Sequence, residues 1–315
     1  MKRRPAAFLI LTILAASSLR PGILAAETAA EPAKKTTGES VRRILWEDGV
    51  KNAYPRWSRD GSRILFQSDR SGKWQLYVMK ADGTGTRLLT EGPSNNNFPD
   101  WSPGNESIAF VSDRDGNEEI YVMRMDGSGL RRLTSNPAED IHPYWSPDGK
   151  AILFSSTRDG SRFQLYETTP DGAPARRLVT SQDDDTCARV SPAGDRIVYL
   201  TNLSEGRDDV IVRNRDGSAP VNVTNDSPQD GWPVWTPDGK HIVFSSKRAG
   251  DFALFIMNPD GSGPRQLTFP PEGWLDARPS VSPDGRRIVF NRERGETIGI
   301  LVLDLDPSGV VAAPR

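Results

Sequence analysis

One four-residue signature recurs six times: Pro55-Arg56-Trp57-Ser58, Pro99-Asp100-Trp101-Ser102, Pro143-Tyr144-Trp145-Ser146, Ala188-Arg189-Val190-Ser191, Pro233-Val234-Trp235-Thr236 and Pro279-Ser280-Val281-Ser282. Its third residue falls at 57, 101, 145, 190, 235 and 281. A period of about 45 residues implies supersecondary units that bury their faces against one another, not alone.

Each unit carries the same internal order. A turn such as Ser146-Pro147-Asp148-Gly149 follows the signature. Pro sets φ at its first corner and Gly accepts its left-handed position. An apolar run comes next, for example Ile64-Leu65-Phe66 or Ile242-Val243-Phe244, as in a strand covered on both faces. A polar turn leads to a third strand, Ile120-Tyr121-Val122-Met123. A glycine turn, Asp126-Gly127-Ser128-Gly129, then leads to a short edge strand, Arg131-Arg132-Leu133-Thr134. Four antiparallel strands per unit mark a propeller blade. The expected fold is all-β, a six-bladed β-propeller of four-stranded antiparallel blades.

The sixth unit has only three strands before Asp306-Pro307-Ser308-Gly309, while Arg42-Arg43-Ile44-Leu45 looks like a spare edge strand. The ring is therefore expected to be closed by this N-terminal strand, which removes an exposed sheet edge. Val310-Val311 is the rival closing strand.

Ahead of the repeats, Lys2, Arg3 and Arg4 precede an apolar stretch from Ala6 to Leu19 and small residues at Ala25 and Ala26. That is the pattern of an export signal, too short to span a bilayer comfortably. The expected organisation is a signal peptide over 1–26, a flexible tether over 27–40, the propeller over 41–309 and a C-terminal tail over 310–315. Removing residues 1–26 takes away four cations and no acid, moving the formal net charge from −2 to −6. Such a balance offers no basic face for nucleic acid or an anionic membrane. A periplasmic monomer with no membrane span after signal cleavage is expected.

The motif string Pro-x-Trp-Ser-Pro-Asp-Gly, apolar strand, Ser-x-Arg-x-Gly, Asp-Gly-Ser-Gly, Arg-x-Leu-Thr resembles the propeller repeat of the TolB family, periplasmic components of the Tol–Pal system. The resemblance covers residues 41–309 and implies a cell-envelope protein that binds protein partners through its propeller. TolB carries an α/β domain before its propeller, whereas here only the short tether is expected ahead of the first strand.

The Ser-x-Arg arginines recur as Arg70, Arg114, Arg158, Arg248 and Arg294, with Leu203 in the fourth unit, beside acid-rich loops. They read as inter-blade ion pairs, or as a charged ring for a partner. Symmetry-breaking residues are more informative. Tyr54, Phe98, His142 and Trp232 stand just before the repeat proline position, Trp274 lies in the loop before the sixth blade, and Trp74, Phe163 and Phe252 lie in loops between second and third strands. These eight form the candidate partner-binding patch, since aromatics dominate interface energetics. Packing between blades is the competing reading.

Asp113-Arg114-Asp115-Gly116-Asn117-Glu118-Glu119 resembles part of a calcium loop, but the same slot in other units shows it to be an acidic repeat turn. Cys187 reads as a small buried residue, with no histidine near it in sequence. No nucleophile elbow, zinc-protease motif or phosphate loop occurs, so no cofactor and no catalysis are expected. The alternatives are a glycan- or small-ligand-binding propeller, and a lyase of acidic oligosaccharides.

Overall fold

The structure, a computed structural model, describes residues 40–203, 207–225 and 229–305. The expected signal peptide, tether and C-terminal tail, with the rival strand Val310-Val311, lie outside the described residues, except for Ser40 at the tether's last position. Among the described residues no helix is long and apolar enough to cross a membrane.

Among the described residues twenty-four strands build six sheets. β1 (Ser40–Leu45) opens the chain. The first blade holds β2 (Asn52–Trp57), β3 (Arg63–Ser68), β4 (Gln75–Lys80) and β5 (Arg87–Leu88). The second holds β6 (Asn96–Trp101), β7 (Ser107–Ser112), β8 (Glu119–Arg124) and β9 (Arg131–Arg132). The third holds β10 (Asp140–Trp145), β11 (Ile152–Ser156), β12 (Gln164–Thr168) and β13 (Arg176–Arg177). The fourth holds β14 (Asp184–Val190), β15 (Arg196–Asn202), β16 (Asp208–Asn214) and β17 (Val221–Asn222). The fifth holds β18 (Asp230–Trp235), β19 (Ile242–Ser246), β20 (Ala253–Met257) and β21 (Arg265–Gln266). The sixth holds β22 (Leu275–Val281), β23 (Arg287–Arg294) and β24 (Thr297–Asp304). Its fourth strand is β1, which pairs antiparallel with β24 from Ser40↔Asp304 to Leu45↔Ile300. The chain is thus a six-bladed β-propeller closed by its N-terminal strand.

The motif residues have local jobs. In the turn after β10, Ser146 N–H donates to Ala151 C=O at 2.8 Å and Gly149 N–H to Ser146 C=O at 2.9 Å, with Gly149 at φ +71°. The threonine two residues after the short edge strand accepts a backbone N–H from the third strand: Thr90 from Leu76, Thr134 from Ile120, Thr224 from Val210 and Thr268 from Leu254, at 2.8 to 3.0 Å. These bonds secure edge strands whose ladders are only two residues long.

Apolar packing lies between blades. Six clusters fill the six seams, for example Leu65, Trp101 and Phe110 between the first and second blades, and Trp57, Phe66, Val289 and Ile300 between the first and sixth. The signature tryptophans cross these seams. Trp101 Nε1–H donates to Arg56 C=O at 3.1 Å and Trp235 Nε1–H to Arg189 C=O at 3.2 Å. Arg63, Arg196 and Arg287 lie over Trp101, Trp235 and Trp57 at 4.6 to 4.9 Å.

The inter-blade reading of the Ser-x-Arg arginines is corrected. Each pins its own blade: Arg70 to Asn52 at 2.8 Å, Arg114 to Asn96 at 2.9 Å, Arg158 to Asp140 at 2.8 Å and Arg248 to Asp230 at 3.7 Å. The same guanidinium groups lie over rings of their own blade, such as Arg70 over Tyr77 at 5.0 Å. In the sixth blade Arg292, not Arg294, holds Asp276, through two bonds of 2.7 and 2.9 Å. There the β23–β24 ladder runs on to Arg294↔Thr297, so Arg294 ends at the hairpin tip over Trp274.

Candidate functional site

The innermost strands β2, β6, β10, β14, β18 and β22 each touch the next, closing a ring around the axis. Every one bulges at the same place, with register shifts at Ala53/Arg56, Asn97/Asp100, Ile141/Tyr144, Thr186/Arg189, Gly231/Val234 and Ala277/Ser280. Five of the bulges contain the repeat proline, which cannot donate to a ladder. The residue before it, and Cys187 before Ala188 in the fourth blade, takes up left-handed backbone: Tyr54, Phe98, His142, Cys187, Trp232 and Arg278 have φ between +48° and +57°. For bulky residues this costs about 1–3 kcal/mol each, strain that concentrates at functional sites.

These six side chains form an upper axial tier. Tyr54 meets Phe98 edge-on at 4.7 Å, and Phe98 meets His142 at 4.5 Å. Cys187 Sγ lies 3.6 Å from His142 Nδ1. Arg278 lies over both Tyr54 at 4.9 Å and Trp232 at 4.8 Å, while its Nη1 donates to Glu293 at 2.7 Å. Burial, reinforced by Arg189, Arg56 and Arg278, pushes the His142 imidazole down to about 3. Burial pushes the Cys187 thiol up. The thiol and imidazole are therefore both neutral near pH 7, unlike an activated nucleophile pair.

Of the eight sequence-selected aromatics, Tyr54, Phe98, His142 and Trp232 meet at this tier. Phe252 packs edge-on to Trp232 at 5.9 Å but is 4% exposed. Phe163 shares the seam cluster of Phe98. Trp274 instead packs at a tilt against Trp46 at 5.3 Å, under Arg294. Trp74 is half-buried in its loop, its N–H donating to Asn95 at 3.3 Å.

Two residues further along each strand lies a lower tier that sequence reasoning missed: Arg56, Asp100, Tyr144, Arg189, Val234 and Ser280. These occupy the variable position of the Pro-x-Trp signature. They line a cavity of about 250 Å³ at the mouth where the Pro-Asp-Gly turns meet. Their one visible signal is variation where the flanking residues barely change.

One slot in the pattern is unmatched. Asp185 stands where Asn52 and Asp140 stand in other blades, but the arginine position holds Leu203. Asp185 is fully buried and neither carboxylate oxygen has a hydrogen bond of good geometry. Burial pushes its pKa up to about 6, held in check by the nearby Ser181 and Thr201 hydroxyls. The acidic turn read against calcium spends its carboxylates on protein: Tyr121 O–H donates to Asp115, and Asn95 N–H to Asp113 at 2.8 Å.

The TolB beta propeller domain model matches residues 84–206 and 200–312. The chain belongs to the TolB β-propeller family. It is 52% identical over 42 residues to the Tol-Pal system protein TolB of Gluconobacter oxydans, a stretch spanning 13% of this chain and 9% of that relative. TolB from Acinetobacter baumannii superposes with a TM-score of 0.64 at 24% identity, over 73% of this chain and 56% of that one. A putative TolB from Agrobacterium tumefaciens gives 0.63 at 20%, over 71% and 82%. An oligogalacturonate lyase from Vibrio parahaemolyticus shares the fold at 0.57 and 14%, over 86% and 94%.

Proposed function

We propose that this TolB-family propeller is a non-enzymatic protein-interaction module of the cell envelope, holding a segment of a protein partner at the upper axial tier. The carrying observation is the convergence of Tyr54, Phe98, His142 and Trp232 on strained backbone beside a buried arginine. Strain of this kind persists only where the surroundings over-determine it. Partly buried aromatics of different shapes, flanked by a guanidinium, suit an unsymmetrical protein surface. Family membership supports the same reading, and the export pattern of residues 1–26 supports the periplasm. The neutral Cys187–His142 pair argues against thiol catalysis.

Capture from envelope extracts tests this, using Trp232→Glu and Tyr54→Glu with thermal melts run alongside. The expected outcome is a captured protein that is lost with either variant while the ring stays folded. A lowered melt with capture intact would assign these residues to packing alone.

A further inference from the structure

The lower tier is electrostatically unlike the upper one. Arg56 and Arg189 are both 8% exposed, and among the described residues neither forms an ion pair with a carboxylate. Each donates one Nη1 bond only to the carbonyl next to it in the chain, Pro55 at 3.2 Å and Ala188 at 3.1 Å. Arg56 Nε is buried with no acceptor. Arg59 joins them at the rim, and the one acid of the tier, Asp100, is shared between Arg59 at 3.8 Å and the Trp145 N–H at 2.9 Å. Three cations therefore face one carboxylate that is already engaged.

A buried guanidinium without a counter-charge is costly unless an anion meets it. Burial, with Arg189 next in weight, lowers even the Arg56 pKa, to about 10. Both guanidinium groups border the cavity of about 250 Å³. That volume falls below the usual range for whole drug-sized ligands and suits one functional group on a larger body. The rest of the wall is organic. Tyr144 lies between Arg59 at 5.8 Å and Arg189 at 4.6 Å, and Pro147, Pro192, Pro237 and Pro283 rim the opening. Apolar walls around a guanidinium floor favour a carboxylate carried on carbon over an inorganic anion, and the planar fork of arginine matches carboxylate geometry.

We infer that the turn-side mouth of the axis is a carboxylate-binding site, in which Arg56 and Arg189 take the anionic head and Tyr144 and the proline rim hold its organic body. This site opens toward the turns, two residues along the same strands from the partner-binding tier, and uses none of that tier's side chains.

Calorimetric titration of the full chain at fixed ionic strength tests it. The probes are succinate, an end-blocked pentapeptide with one central glutamate, and inorganic phosphate. Binding of succinate identifies a free organic acid as sufficient, and binding of the peptide alone identifies an acidic side chain of a protein; either result supports the site. Arg56→Gln and Arg189→Gln are each expected to weaken binding about tenfold or more, the loss of one charge-assisted contact. Arg131→Gln, in an exposed edge strand away from the axis, should leave it unchanged. Should either glutamine variant fail to fold, the Nε–Hε resonances of Arg56 and Arg189 in the unmodified protein are expected to shift on titration. No binding of either carboxylate, binding of phosphate alone, retention of affinity in both variants, or unmoved resonances would overturn the assignment.

Discussion

Asp185 has lost the counter-charge that its equivalents keep. A carboxyl whose pKa rises from 3.8 to about 6 on folding binds its proton more tightly folded than unfolded. Its favourable contribution is complete below about pH 4 and disappears as pH climbs through about 6. At pH 7.5 an ionised Asp185 therefore costs stability, on the order of 1–3 kcal/mol at 1.36 kcal/mol per unit. Asp185→Asn is expected to raise the melting temperature at pH 7.5 and change it little at pH 4, as thermal melts at the two values will read. The signal was half legible in the sequence. Leu203 stands out as the one missing arginine, but only the fold reveals that the arginine serves its own blade's first strand. A linear repeat places that arginine equally near the acidic loops of the neighbouring unit.

Among elements, the closing strand was read correctly because Arg42-Arg43-Ile44-Leu45 has the composition of an edge strand and the sixth unit lacked one. What secures it was not legible. Trp46 follows β1 and packs against the backbone of Gly299 in β24, so that a Cβ there would collide with the indole ring. Arg43 lies over that ring at 4.3 Å, and Trp274 packs against it at a tilt. Gly299 thus needs to be glycine for space, not for backbone conformation. Gly299→Ala should displace Trp46 and destabilise the protein by about 1–3 kcal/mol, the usual cost of overpacking, measurable by denaturant melts. The axial tiers were the least visible feature. Tyr54 and Phe98 drew attention as aromatics, while Arg56 and Arg189 fell in a position that holds five residue types across six units. Variation there reads as tolerance until the ring closes and turns these six residues toward one another.

At the scale of the whole molecule, every apolar cluster belongs to a seam and none to a single blade. A blade that opened alone would expose both of its faces and break two clusters. Open repeat arrays unfold from their ends because terminal units have one neighbour; a closed ring has no such unit. Calorimetry is expected to show one transition, with the calorimetric enthalpy matching the van't Hoff value. Two resolved transitions would mean that seams melt independently.

The join between β1 and β24 brings together Arg42 and Asp304, separated by 262 positions in the chain. A ribosome makes the first of these strands long before the second. Until β24 is made the nascent wheel stands unclasped, with one raw edge and one uncovered seam. Every contact that depends on a complete circle, including both tiers at its hub, must therefore wait for the last strand to arrive.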